Sequence, residues 1–494
     1  MKDSDSTVNC LGLGSGASRR WLRVAAFLLP ALVMLVRTAA AAPSAVDLSR
    51  PLSLEQAIQL AIARNPDIRS AQRALEAAEA ARRAAVGKLF PQLQALSWYE
   101  LFPTQRALLL PGTMLVPSLS QIAAPTAQQS TQRMLDFENS QFQDWVFNAG
   151  VGLSWPLYAG GRLAAGVRGA RAAAEASGYQ LERVRQQLIF AVTQTYLGIG
   201  VTERTERAVE GSIEQLTEAR SNLEEFVRVG KKPRLDLLRV EARLEQTREV
   251  LAAVQAQLVT VQGNLRRLLD LDPTGPPLPL ASGQSDGGVE IPPVAEAVSL
   301  ALAHRPDYRA MMSQVEAQRA QLRIAQGARL PEVDLSARAW EAHGNRTGAG
   351  SAFRTWEPDS QIMLSISVPV FTGGTLLAEV HRERARLEER NEQLEALSQR
   401  VRLEVTQAYA GLHAARTQLD AARADVASAD EAFRLEREKT NVGAGIVTDL
   451  LQAQAADLQA QTDFYQARAG VRIAETRLQL ATGVLTGPVD LTSP

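Results

Sequence analysis

The sequence has very little cysteine or histidine. Its 494 residues include one cysteine, Cys10, and four histidines that stand more than 30 positions apart. A disulfide framework, a cysteine-based zinc site and a histidine metal cluster are therefore excluded, and we expect no metal and no cofactor. The serine-hydrolase elbow, the phosphate-binding loop and the HExxH motif are also missing, so we predict a protein that is not an enzyme, without catalytic residues.

An excess of charge of one sign is missing as well. The chain has 53 Lys and Arg against 54 Asp and Glu, whereas a nucleic-acid-binding protein would be distinctly basic. Aromatic residues make up only 5%, although 46% of the residues are hydrophobic and many of these are alanine. This composition favours long, closely packed helices over a bulky core. Length alone would suggest about three domains, but the internal pattern below points to a different organisation.

Long hydrophobic runs are absent except near the N-terminus. A basic segment at 19–23 precedes 13 apolar residues, Val24–Val36, and the small residues Ala39–Ala42. This order predicts a signal peptide over residues 1–42, because about 20 residues are needed to span a membrane. An N-terminal membrane anchor remains the alternative. Cleavage would remove Cys10 and leave a net charge of −4.

The strongest pattern is an internal repeat. AIQLAIARNPDIRSA, from Ala57, resembles AVSLALAHRPDYRAM, which starts 240 positions later, and after the first strands the offset becomes 213. The change of offset indicates a 27-residue insertion between Pro91 and Pro156, which we assign to an external loop within 103–144. The sequence thus predicts one unit at 43–271 and a second at 294–494, joined by a Pro/Gly-rich linker at 272–293.

Each unit is predicted to contain the same elements. A helix with a capping box at Ser53 and Gln56 opens the first unit and is interrupted at Pro66. Alternating segments then predict one hairpin in each unit, and Pro-free stretches of 66 residues predict helices of about 100 Å. Heptad spacing in the returning helices indicates coiled coils. The predicted strands are 92–102, 145–157, 332–342 and 360–371, and the long helices are 163–228, 234–270, 376–441 and 446–482.

The length and the alternation of the predicted strands are typical of a sheet that crosses a membrane. One face of each is apolar, and each is long enough to cross a bilayer at a tilt. Five of the six tryptophans lie in or beside the strands, which suggests aromatics at the membrane interface, although strands favour aromatics in any case. Four strands cannot close a barrel, so we expect an oligomer of unspecified number. The interface candidates are Trp98, Trp145, Trp155, Trp340 and Trp356.

Over nearly the whole chain after the signal peptide, the sequence resembles the TolC family of outer-membrane efflux proteins. The resemblance rests on LSLEQAIQLAIARNPDI, on the turns SWPLYAGGR and SVPVFTGGT, and on LDLLRVEARL and VGAGIVTDLLQAQ. It implies a mostly α-helical protein with a membrane β part, in which a homotrimer forms a twelve-stranded barrel and a periplasmic coiled-coil tunnel. It also implies a passive exit duct for efflux or type I secretion, with a periplasmic adaptor and an inner-membrane pump of RND, ABC or MFS type as partners.

The resemblance assigns candidate site residues at the far end of the helices. The periplasmic gate would use Asp449, Gln452, Asp236 and Arg234, with Asp449 at the first acidic position of the family. The family's basic–tyrosine latch is replaced by Gly445 and Thr440, which places the usual latch in question. Capping of their helices is the simpler role for Asp236 and Asp449.

Two further sets of turn residues follow from the pattern. Val-Gly turns between the long helices are expected to dock the adaptor, and Gly-Gly pairs are expected to turn strand into helix. A periplasmic coiled-coil scaffold is the rival interpretation, and the sequence leaves the transported substrate open. The docking residues are Val229, Gly230, Val442 and Gly443, and the strand-to-helix residues are Gly160, Gly161, Gly373 and Gly374.

Overall fold

The computed structural model describes residues 51–107, 142–281, 292–347 and 357–485. The predicted signal peptide, most of the predicted external loop and Trp356 lie outside these residues. The described elements follow the same order twice: two short helices, two strands and two long helices. They are α1 Leu54–Arg64, α2 Pro66–Gly87, β1 Gln92–Ala107, β2 Phe142–Ala159, α3 Arg162–Arg228, α4 Arg234–Leu268, α5 Val294–His304, α6 Pro306–Gly327, β3 Glu332–Thr347, β4 Glu357–Ser367, α7 Thr375–Asn441 and α8 Val447–Thr482.

The strand bounds differ from the prediction at their ends. β1 continues beyond the predicted end at residue 102 and includes Pro103, and its register shifts between Leu101 and Arg106. Proline is tolerated here because the ladder between β1 and β2 is interrupted at this irregularity. β4 ends at Ser367 and not at the predicted residue 371. Pro369, which has no N–H to give to the sheet, follows two positions later.

A single antiparallel sheet joins the two repeats. Its strand order is β1-β2-β3-β4, so the two predicted hairpins are linked by a pairing of β2 with β3. That pairing runs from Ala159 opposite Glu332 to Phe142 opposite Thr347. Strands β1 and β4 are the two edges of this sheet within the chain.

The two faces of the sheet differ in chemistry. Leu93, Val151 and Ile362 belong to one face, and all three side chains are largely exposed. The opposite face carries Gln94, Arg338 and other polar residues, since directly paired residues share a face and the side-chain period is two. The sheet therefore has one apolar and one polar face, as the alternation in the sequence predicts.

Small residues allow the helices next to the sheet to pack closely. In α3, Ala165, Gly169 and Ala172 are buried, and a Cβ added at Gly169 would lie 3.1 Å from Cβ of Ala320 in α6. Helices α3 and α7 each have 67 residues, about 100 Å at 1.5 Å per residue. Helices α4 and α8, with 35 and 36 residues, accompany only the half farther from the sheet. Helices α2 and α6 cover the remaining length.

The breaks between the short helices are held differently in the two repeats. The Asn65 side chain accepts a hydrogen bond from the N–H of Asp67 and donates one to the carbonyl of Leu268. At the matching position, Arg305 is almost fully buried and forms ion pairs with Asp307 at 2.9 Å and Glu404 at 2.5 Å. The second repeat thus replaces a neutral cap with a buried charge and two carboxylates.

Arg183 of α3 extends this ionic cluster into the first repeat. Its guanidinium lies 3.6 Å from Asp307 and donates to the carbonyl of Leu480. Burial lowers the pKa of Arg183, and the positive charge of Arg305 acts in the same direction. Burial alone would raise the pKa of Asp307, but the hydrogen bond from Arg305 and the charge of Arg183 outweigh it, and the pKa is lowered. The carboxylate therefore stays ionised between the two guanidinium groups.

The described part of the linker is attached to the helices. Leu52 and Leu280 form a parallel β-bridge, and the Tyr196 hydroxyl of α3 donates to the carbonyl of Leu52 at 2.9 Å. Burial raises the pKa of Tyr196. The Arg266 guanidinium donates to the carbonyls of Asp272 and Pro276 at 2.5 and 2.7 Å. Among the described residues, we find no helix with the length and apolarity needed to cross a membrane.

We expect Arg305→Ala to lower the stability of the folded protein by about 2 kcal/mol. Removal of Arg305 leaves Glu404 without its ion pair and Asp307 with only the longer one to Arg183, and the cost is reduced because Asp307 and Glu404 are partly exposed. The measurement is the thermal loss of the helical circular-dichroism signal. Arg323→Ala, at an exposed position of α6, is the control, and an equal effect of the two substitutions would contradict this role for Arg305.

Candidate functional site

The ends of the long helices far from the sheet form two similar turns. Gly230 has φ +75° and Gly443 has φ +82°, which are left-handed conformations that suit glycine and end α3 and α7. The preceding Val229 and Val442 are 58% and 79% exposed. Each turn therefore presents an apolar side chain at the tip.

An apolar cluster packs the two turns together. Leu223 of α3, Val240 of α4 and Val447 of α8 are buried against one another, and Phe226, Leu237 and Leu451 pack around them. Because Leu223 and Val240 belong to the first repeat and Val447 to the second, the cluster joins the two helix pairs at their tips.

Polar contacts between the repeats surround this cluster. Lys232, in the turn between α3 and α4, donates from Nζ to the carbonyl of Gly445 at 2.7 Å. Further from the turns, between helices α3 and α7, Arg437 of α7 forms an ion pair with Glu218 of α3 at 2.6 Å. Asn222 donates from Nδ2 to Oδ1 of Asn441 at 3.4 Å. We call the three contacts Lys232–Gly445, Glu218–Arg437 and Asn222–Asn441 the tip ties.

The two predicted gate aspartates have different surroundings. Asp236 stands in the first turn of α4 and accepts a hydrogen bond from Arg239 at 3.3 Å. Asp449 occupies the same place in α8, where Gln452 replaces the arginine, and its side chain is exposed. Within the described residues Asp449 has no ion-pair partner. The charge of Asp236 is therefore compensated within its own helix, whereas that of Asp449 is not.

Arg234, the fourth predicted gate residue, begins α4 and is exposed. Among the described side chains it has no ion pair with either aspartate. A gate role for Arg234 therefore stays a prediction.

Gly445 and Thr440, which the resemblance places at the latch positions, touch each other. A Cβ added to Gly445 would lie 2.4 Å from Oγ1 and 2.9 Å from Cα of Thr440, so a larger residue does not fit without a shift of the turn. Thr440 donates from its hydroxyl to the carbonyl of Glu436 in its own helix, at 2.8 Å. Gly445 has no side chain of its own, and Lys232 from the other repeat donates to its carbonyl.

Buried polar residues continue inward from the tips. The Gln454 amide of α8 donates to the hydroxyl of Ser212 in α3 and accepts from Arg243 of α4 at 3.4 Å. One turn further, Asp457 is buried and accepts from Gln461 through Oδ2, while its Oδ1 has no partner among the described residues. Burial raises the pKa of Asp457, and the nearby Asp430 adds to this shift.

The Gly-Gly pairs lie at the other ends of the long helices, next to the sheet. Gly160 and Gly161 have φ +59° and +76°, and Gly373 and Gly374 have φ +61° and +82°. Two successive left-handed residues connect each strand to the following helix, and glycine adopts them without a steric cost. The carbonyl of Gly327 lies 2.2 Å from where a Cβ of Gly160 would be, so the first pair also requires glycine for its close contact with α6.

Comparison with known proteins identifies the family. A family model described as outer membrane efflux protein matches residues 105–270 and 297–484. The chain belongs to the outer membrane efflux protein family. This efflux protein therefore lies in the cell outer membrane.

Individual relatives agree with this assignment. The chain is 24% identical over 345 residues to the outer membrane efflux protein BepC of Brucella suis, covering 68% of this chain and 72% of BepC. It is 28% identical over 196 residues to the alkaline protease secretion protein AprF of Pseudomonas aeruginosa, covering 39% and 40% of the two chains. The crystal structure of the outer membrane protein VceC of Vibrio cholerae matches with a TM-score of 0.69 and 18% identity over 87% of this chain and 96% of VceC, which shows the shared fold.

The tryptophans of this efflux protein divide between the two faces of the sheet. Trp145 and Trp155 share the apolar face with Val151, whereas Trp98 and Trp340 lie on the polar face. Contact with lipid at the membrane interface stays a prediction for Trp145 and Trp155. For Trp98 and Trp340 it disagrees with the register of the sheet, because their side chains leave the sheet on the other side.

The sequence prediction missed two features of the structure, the polar face of Trp98 and Trp340 and the tip ties. The first could have been read from the sequence, because Trp98 alternates in phase with the polar Gln94, and Trp340 with Arg338. The tip ties have no comparable signal. Lys232 and Gly445 are 213 positions apart, and only the packing of the two repeats brings them into contact.

We expect Lys232→Met to loosen the second turn, because the Gly445 carbonyl loses its charged donor. The loss of one such hydrogen bond costs about 1–2 kcal/mol, which corresponds to roughly a tenfold faster amide exchange around residues 442–447. Hydrogen–deuterium exchange by mass spectrometry measures this directly. Lys231→Met, at the exposed neighbouring position, is the matched control. Equal exchange in the two variants would refute the tie.

Proposed function

We propose that the protein is the passive exit duct of an efflux or type I secretion system and works as a homotrimer. The observation that carries this proposal is the sheet, which has an exposed apolar face and two edge strands in one chain. Open edges are not tolerated in lipid, and four strands are too few to close a barrel. Three copies supply twelve strands, with β1 of one copy beside β4 of the next.

The long helices supply the tunnel in this proposal. Each chain contributes α3 paired with α4 and α7 paired with α8, and each turn from strand to helix directs a helix of about 100 Å away from the sheet. The exposed side chains along α7, such as Leu377 and Leu403, then become contacts between copies. Three chains together form a wall of twelve helical segments across the periplasm.

The tips form the periplasmic gate in this proposal. A ring of three Asp449 carboxylates, which no described basic side chain of their own chain compensates, would attract cations and repel anions. The tip ties replace the family latch and hold α7 and α8 against α3 and α4 when the gate is closed. In this proposal, the gate opens when the tip ties break, or when the four helices that they join move as one unit.

Partners complete the transport system. We propose that the apolar turns at Val229-Gly230 and Val442-Gly443 dock a periplasmic adaptor, and that an inner-membrane pump of RND, ABC or MFS type supplies the energy. The names of BepC, for efflux, and AprF, for protease secretion, describe those two proteins and support either type of system for this chain. Copurification of the crosslinked complex from its own host would identify the pump.

Reconstitution tests the proposal as a whole. The purified full-length protein should require detergent, run as a trimer after crosslinking, and produce ion conductance in planar lipid bilayers. A protein that stays soluble without detergent and produces no conductance would instead be a periplasmic scaffold, and the duct would be refuted.

We expect Asp449→Asn to lower the preference of the open channel for cations at least about twofold, because three uncompensated charges leave the constriction. Asp236→Asn is the matched control, since the charge of Asp236 is already compensated by Arg239. Reversal potentials under a salt gradient measure both variants. Unchanged selectivity in Asp449→Asn would remove this residue from the gate.

We expect the double substitution Val229→Ser and Val442→Ser to reduce export at least about tenfold while trimers remain, because it removes the apolar contact at both tips and keeps the glycine turns. Export is measured in the protein's own host without its chromosomal copy. Val259→Ser, at a residue that is 73% exposed in α4, serves as the control. Full export by the double variant would exclude these turns as the docking surface.

A further inference from the structure

Two tryptophans stand close together on the polar face of the sheet. Trp98 of β1 pairs with Asn148 of β2, and Trp340 of β3 pairs with Gly150 of β2. The two rings approach each other across β2, with centroids 6.3 Å apart and planes inclined by 52°. Each side chain is half-buried, so part of each ring remains open. We call Trp98 and Trp340 the aromatic pair.

Glycines in β2 make room for this arrangement. A Cβ added at Gly150 would lie 2.5 Å from Cβ of Trp340, and one at Gly152 would lie 2.9 Å from Leu96. With these two glycines between them, side chains from β1 and β3 extend over β2 towards each other. The central strand thus forms the floor of a shallow site, and the aromatic pair forms part of its lining.

Carboxylates flank the aromatic pair on the same face. Asp359 of β4 is directly opposite Trp340, a separation of about 5 Å between Cα atoms in an antiparallel sheet. Glu100 lies two positions beyond Trp98, about 7 Å along β1. Both carboxylates are exposed. Arg338, the nearest basic residue in β3, lies two positions from Trp340 in the direction of the helices.

We propose that the aromatic pair, with Glu100 and Asp359, is a transient binding site for apolar organic cations on their way out. Indole rings attract cations through their faces, more strongly than phenyl rings do, and also bury apolar groups. Neighbouring carboxylates add attraction for a positive charge and act against an anion of the same shape. This proposal rests on the proposed function, because the polar face lines the conduit only in the closed barrel.

The Trp residues of the apolar face provide a contrast. Trp145 stacks on Tyr99 at 5.8 Å, and Trp155 donates from Nε1 to the carbonyl of Leu89 at 3.1 Å. Trp155 therefore offers a matched control, since it is a tryptophan of the same sheet that faces the lipid side in the proposed trimer.

Block of single channels by tetraphenylphosphonium tests the site. This cation carries apolar rings, and tetraphenylborate is an anion of the same shape. We expect the double variant Trp98→Phe and Trp340→Phe to keep its conductance in potassium chloride and to shorten the dwell time of the cation about tenfold. Phenylalanine keeps an aromatic ring over Gly150, so the variant retains most of the packing. Trp155→Phe should leave the dwell time unchanged.

Charge variants separate the two contributions. Glu100→Gln with Asp359→Asn should shorten the dwell time of tetraphenylphosphonium about threefold or more and should not shorten that of tetraphenylborate. Equal block by cation and anion in the unmodified channel, or an unchanged dwell time in the Trp98→Phe and Trp340→Phe variant, would overturn the proposed site. A protein without any conductance would instead refute the proposed duct, so the two failures are distinguishable.

Discussion

In the proposed barrel, the backbone of the sheet must satisfy all of its own hydrogen bonds, and the arrangement of the strands is set by that requirement. Water is absent from the bilayer interior, so an unpaired N–H or C=O on an edge strand costs several kcal/mol. The chain supplies four strands with edges at β1 and β4, which would become acceptable in lipid only when other copies pair with them. In the proposed trimer, closure of the sheet also decides which face meets lipid and which meets water.

The two repeats agree in the conformation of their turns and differ in side chains that pack around the helix break. Both use a proline at the helix break, a Gly-Gly turn after the second strand and a Val-Gly turn at the tip. They differ at Asn65 and Arg305, where only the second repeat has a buried charge. A duplicated chain therefore keeps its turns, which depend on local conformation, and changes side chains whose partners come from other helices.

The same divergence explains the asymmetry of the tips. Lys232 and Gly445 hold equivalent positions, and the lysine of one repeat donates to the carbonyl of the glycine of the other. Arg239 compensates the charge of Asp236 through an ion pair, whereas the equivalent Gln452 cannot form an ion pair with Asp449. In our proposals the uncompensated carboxylate at the tip and the aromatic pair in the sheet share a preference for cations, at opposite ends of one path.

The sequence by itself determined the repeat, the long helices, the four strands and the turns, because these depend on periodicity, on proline and on glycine, all of which act over a few residues. The faces of Trp98 and Trp340 are also encoded in the alternation of polar and apolar positions. The position of the tryptophans near the strands does not by itself distinguish them from Trp145 and Trp155. Only the tertiary structure decided that β2 pairs with β3, that Arg305 joins Glu404 and that Lys232 reaches Gly445. These contacts join residues that are distant in sequence, and their geometry is set by the packing of helices and strands against one another, which no local pattern records.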